Sequence, residues 1–138
     1  MIKAVYDTNV IVSALLTSEG IPAILLTLAT QQEITLFVSE EILQEYEGVL
    51  LRPKFGFSKK LVKRFIRLLK TRSKVLKPKP LGFNLIDSGD NKFLECALAG
   101  KVNYLVTGNT RHFPSPAYKG IQIISPREFW EMYKESLW

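Results

Sequence analysis

Short β-branched or aromatic runs alternate with longer stretches of helical periodicity from one end of the chain to the other. Ile2 to Tyr6 reads as a first strand and Val10 to Leu16 as the helix behind it. Pro22 opens a second helix, Ala23 to Gln31. Ile34 to Val38 is a second strand, and Ser39 caps a third helix that ends near Leu51, before Arg52-Pro53. Ser58 caps a fourth helix, to about Arg72, with Leu61, Phe65, Leu68, Leu69 and Arg72 at helical spacing. Lys74-Val75-Leu76 is a candidate third strand, and a Pro- and Gly-containing loop, Lys77 to Gly89, follows it. The next helix runs from Asp90 to Leu98 and is stopped by Gly100. Asn103 to Thr107 and Ile121 to Ile124 are the fourth and fifth strands, and Ser125-Pro126 opens the last helix. Such alternation predicts a parallel sheet covered on both faces, an α/β/α sandwich. With 138 residues and no internal repeat or linker, residues 1–138 form one domain.

In an open parallel sheet, ligands bind at the carboxyl ends of the strands. Three acids fall there. Asp7 directly follows the first strand, Glu45 lies in the helix after the second, and Asp90 starts the helix beyond the third. On its helix Glu45 sits about 40° from Val49, at the margin of the apolar arc. Asp90 falls near the centre of the stripe made by Phe93, Leu94, Ala97 and Leu98. Each acid also has a purely structural explanation. Asp7 could bond its own turn, Glu45 could reach to water, and Asp90 could cap its helix. Their convergence favours chemistry, because grouped carboxylates repel one another unless a cation joins them. A single cysteine, Cys96, and a single histidine, His112, argue against zinc, so oxygen ligands and Mg²⁺ or Mn²⁺ are expected. Cys96 reads as a small packing residue.

Charge is unevenly distributed. Residues 51–80 hold twelve of the nineteen basic residues and no acid, although the whole chain is only +6. A block of this kind suits a polyanion such as nucleic acid, or simply a solvated helix face. No apolar run is long enough for a membrane span, and the N-terminus lacks the order of a secretory signal, so a cytoplasmic protein is expected.

Several segments together resemble a PIN domain: Asp7-Thr8-Asn9 after the first strand, Glu40 to Tyr46, Leu51-Arg52-Pro53-Lys54-Phe55, Asp90 to Ala97, and Tyr104 to Asn109. The resemblance covers nearly the whole chain. Its nearest branch is the toxin components of prokaryotic toxin–antitoxin systems. It implies a five-stranded parallel sheet in the order 3-2-1-4-5 and a metal-dependent ribonuclease whose acids are Asp7, Glu45 and Asp90. A fourth acid, frequent in the family after the Thr-Gly of strand four, is replaced here by Asn109, a neutral and weaker ligand. Asn9 and Thr107 would orient Asp7, and Asp87 is a candidate for the missing charge or an ordinary loop aspartate.

Phosphodiester hydrolysis by a divalent ion on these acids is the expected reaction. Lys60, Arg64 and Arg67, which share one flank of the fourth helix, and Arg111 would contact RNA, while His112 reads as a structural loop histidine. Candidate partners are RNA, a cognate antitoxin and a second copy of the chain. Ile11, Leu15, Leu16, Ile24, Leu25 and Leu28 offer a surface for protein partners or, more simply, core. The competing reading is a PIN-fold RNA-binding or interaction protein with weak or absent catalysis. A phosphoacceptor receiver domain is disfavoured, because no lysine ends a late strand.

Overall fold

The computed structural model describes residues 1–80, 88–113 and 116–137. Its frame is a sheet built from β1 (Lys3–Tyr6), β2 (Thr35–Ser39), β3 (Lys74–Leu76), β4 (Tyr104–Val106), β5 (Ala117–Tyr118) and β6 (Ile121–Ile124). The order is β3-β2-β1-β4-β6-β5. The first five positions run parallel, which is the expected 3-2-1-4-5 arrangement with β6 as its fifth strand. The sheet gains a sixth member, because β5 pairs antiparallel with β6 at the edge. Lys119 and Gly120 both take positive φ, 48° and 87°, and so form the tight turn that joins two antiparallel strands.

Among the described residues six α-helices flank this sheet: α1 (Thr8–Leu16), α2 (Ile21–Thr30), α3 (Glu40–Leu50), α4 (Lys59–Arg72), α5 (Asn91–Gly100) and α6 (Pro126–Ser136). Three of them start as the sequence predicts. The hydroxyls of Ser39, Ser58 and Ser125 accept from the amides of Ile42, Leu61 and Glu128 at 3.1, 3.1 and 3.2 Å. α5 packs across β1, β2, β3 and β4, while α3 packs on β2, α1 and α4. The centre is β1, where Ala4, Val5 and Tyr6 are wholly buried, as a strand covered on both faces must be. The Tyr6 hydroxyl donates to the Leu25 carbonyl at 3.0 Å, and the Tyr46 hydroxyl donates to the Tyr6 carbonyl. That second bond fixes α3, and with it Glu45, against the end of β1.

Two details correct the expectations. α4 buries Val62, Ile66 and Leu69, whereas Leu61 and Leu68 are 60 % and 45 % exposed. The helix carries two overlapping apolar stripes, and the one completed by Val62 and Ile66 is turned inward, where α4 packs on α3 and α2. Gly100 does not provide the left-handed stop of α5, which falls to Lys101 at φ 49°. Gly100 is instead required by close approach: a Cβ there would lie 2.6 Å from the Phe37 ring. Of the apolar residues proposed as a partner surface, Ile11 and Leu25 are fully buried, and Leu16 is half exposed. Among the described residues no single helix is long and apolar enough to cross a membrane.

Candidate active site

The chain leaves β1 outward through β2 to β3, then crosses to begin again at β4 on the other side of β1. This reversal of strand order opens a crevice at the carboxyl edge. The parallel register ends level there, with Tyr6 opposite Val106. Asp7 and Thr107, the next residue of each strand, therefore meet. The Thr107 hydroxyl donates to Asp7 Oδ2 at 2.6 Å, and Asn9 Nδ2 donates to the same oxygen at 3.3 Å. Asn9 Oδ1 in turn accepts the Gly108 amide at 3.1 Å, and the Asn109 amide donates to the Thr107 hydroxyl at 3.0 Å. The two residues expected to orient Asp7 are thus bonded to it.

Asp7 and Asp90 occupy the N-cap positions of α1 and α5, yet neither carboxylate makes a capping bond. Both side chains are buried and both line one cavity of about 420 Å³. Asn9, Asn109, His112 and Arg52 also line it, together with Thr8, Ser13 and the apolar Val12, Val49 and Phe55. His112 Nδ1 lies 3.2 Å from Asp90 Oδ2, so this histidine faces the site rather than serving a distant loop. Burial pushes the Asp7 carboxyl above its ordinary pKa. Hydrogen bonds from Thr107 and Thr8 oppose the shift, and the nearby Glu45 charge adds to it.

Glu45 stands one layer behind. It does not line the cavity; its Oε2 accepts from the Thr8 hydroxyl, and its Oε1 pairs with Lys92 Nζ at 2.7 Å. Among the described residues no three His, Cys, Asp or Glu side chains are arranged to hold a metal ion by themselves. The sequence expectation of three converging carboxylates therefore takes a different form, with two acids at the cavity and a third neutralised beside it. The donor chemistry still fits a hard cation: buried carboxylate oxygens and amide oxygens that water can supplement, with no thiolate among them. Asp87 lies outside the described residues.

The basic block divides. Lys60, Arg64 and Arg67 are exposed, but none lines the acidic cavity. Arg67 and Lys70 lie along a groove with Glu40 and Glu47, and Lys70 and Lys63 pair with those glutamates at 2.8 and 3.6 Å. Part of the block thus answers the acidic face of α3. Arg111 is exposed and also stays off the cavity wall. Arg52, read from sequence as the start of the basic block that would track an RNA backbone, lies at the cavity itself. Its signal was present in the Arg52-Pro53 helix stop, which ends α3 beside Val49. Cys96 is fully buried and its thiol is pushed up to about 12, as suits a packing residue.

The family profile of the PIN domain matches residues 3–111. The chain belongs to the PIN-domain family. Members of this family are typically nucleases. The chain is 35 % identical over 112 residues to the uncharacterized protein MJ1680 of Methanocaldococcus jannaschii, covering 78 % of this chain and 71 % of that one. Its fold is similar to a chain in the crystal structure of VapBC2 from Rickettsia felis bound to a DNA fragment from their promoter, with a TM-score of 0.61. That match spans 90 % of this chain and 98 % of the other at 16 % identity, so it speaks to the fold alone. The PIN match covers β1 through β4 and ends just short of His112.

Proposed function

We propose that this PIN-domain protein is a Mg²⁺- or Mn²⁺-dependent endoribonuclease, acting in the cytoplasm as the toxin of a toxin–antitoxin pair. The observation that carries the reading is the pair of buried carboxylates, Asp7 and Asp90, that line one cavity at the switch point of the sheet. Asp7, Asp90 and, more weakly, Asn109 are the candidate ligands of the ion. A divalent ion bound there supplies Lewis acidity toward a phosphodiester and lowers the pKa of water. Thr107 and Asn9 hold Asp7 in one orientation, so no reorganisation is needed when substrate arrives. Arg52, exposed at the rim, is placed to meet a phosphate, and Arg111 and the α4 cations Lys60, Arg64 and Arg67 to meet more distant ones. An antitoxin partner is the part of the reading that leans on the VapBC2 likeness, and co-purification of a bound small protein with the chain from its own host would test it.

The neutral Asn109, at the cavity where an acid would strengthen cation binding, favours a second reading. In it the same fold binds RNA with little or no cleavage. A nuclease assay with Mn²⁺ on wild type and on Asp7→Asn/Asp90→Asn separates the two. Cleavage by wild type alone supports the enzyme; equal products from both proteins remove it.

A further inference from the structure

Lys92 is a positive charge placed among acids. It lies in the first turn of α5, two residues beyond Asp90, and its side chain is only 12 % exposed. Its ammonium pairs with Glu45 Oε1 at 2.7 Å and also donates to the Gly89 carbonyl. The other Glu45 oxygen accepts from the hydroxyl of Thr8, the residue next to Asp7. Both oxygens of Glu45 are therefore engaged by the protein. A cation held so close to a half-buried carboxylate offsets part of the cost of its charge. Lys92 returns one positive charge directly on Glu45, and Arg52 lines the cavity that Asp7 and Asp90 share.

We propose that Lys92 is a resident cation that withdraws Glu45 from direct metal ligation, so that the chain holds a single divalent ion on Asp7 and Asp90. Glu45 is then a positioning residue, acting through Lys92 and Thr8. The proposal rests on the metal-dependent reading above and specifies how its site is charged.

A double-mutant cycle on the full chain tests it, with Mn²⁺ binding read by calorimetry and by electron paramagnetic resonance, and folding checked by circular dichroism. Wild type is expected to bind one Mn²⁺. Lys92→Met keeps the stem and removes the charge, so Mn²⁺ should bind at least about tenfold more tightly, or a second ion should appear. Glu45→Gln leaves the ammonium unopposed and weakens binding. Lys92→Met/Glu45→Gln removes a neutral pair and should return affinity to within about threefold of wild type. The double variant also guards against misfolding, because a neutral pair of similar volume replaces a salt bridge with little loss of stability. Loss of Mn²⁺ in the double variant, as complete as in Asp90→Asn, would make Glu45 a direct ligand and overturn the proposal while leaving the metal reading intact. Unchanged affinity in Lys92→Met would overturn it as well. If wild type binds no Mn²⁺ at all, the metal reading and this proposal fall together.

Discussion

At Asp7 burial and charge are opposed. The fold raises its pKa from the ordinary 3.8, chiefly by desolvation. A carboxyl whose folded pKa lies above its unfolded one contributes stability fully below the unfolded value, and that stability is lost as pH rises through the folded value. In chelator, Asp7→Asn should therefore melt above wild type at pH 7, and the difference should shrink as pH falls toward 3.8. Asparagine can still accept from Thr107, so the comparison isolates the charge. Thermal melts from pH 3 to pH 8 read this directly; wild type melting higher throughout would contradict it. Arg52 allows a second test at this scale. If it meets a phosphate at the rim, Arg52→Gln should weaken single-stranded RNA binding roughly tenfold without lowering the melting temperature. Fluorescence anisotropy with a labelled oligoribonucleotide would show it.

Single elements show why some of the fold can be read from sequence and some cannot. Serine caps, the proline starts and the strand–helix alternation are plain, because each is a local preference that the tertiary structure does not override. α4 is ambiguous for a physical reason. Leu61, Phe65 and Leu68 make one apolar stripe, Val62, Ile66 and Leu69 another, and only the tertiary packing, against α3 and α2, selects between them. Accordingly Ile66→Ala should cost about 2–4 kcal/mol, whereas Leu61→Ala should stay within about 0.5 kcal/mol. Urea unfolding would rank the two. The end of α5 misleads because a glycine near a helix stop has two uses. Here the space beside Phe37 decides, so Gly100→Ala should cost roughly 1–3 kcal/mol and Phe37→Leu should recover part of it. At the site the acids can be found by periodicity and order. The Lys92 contact cannot, because a first-turn lysine reaches around its helix to a partner 47 residues away.

Over the whole molecule the positive charge is less available than its count implies. Lys63 and Lys70 lie against the glutamates of α3, and exposed pairs of this kind add little to stability while reducing the local field. For long RNA, replacing Lys60, Arg64 and Arg67 by glutamine should flatten the dependence of affinity on salt, by up to about 0.7 in log–log slope for each phosphate no longer neutralised. A short oligonucleotide confined to the cavity should be bound nearly as before. The bond from Thr107 to Asp7 joins positions 100 residues apart, one just after the first strand and the other beyond the fourth. A ribosome making this chain releases the first acid early and the hydroxyl that steadies it late. Most of the polypeptide must emerge before the carboxylates are gathered, so a nascent fragment ending before β4 lacks a finished centre.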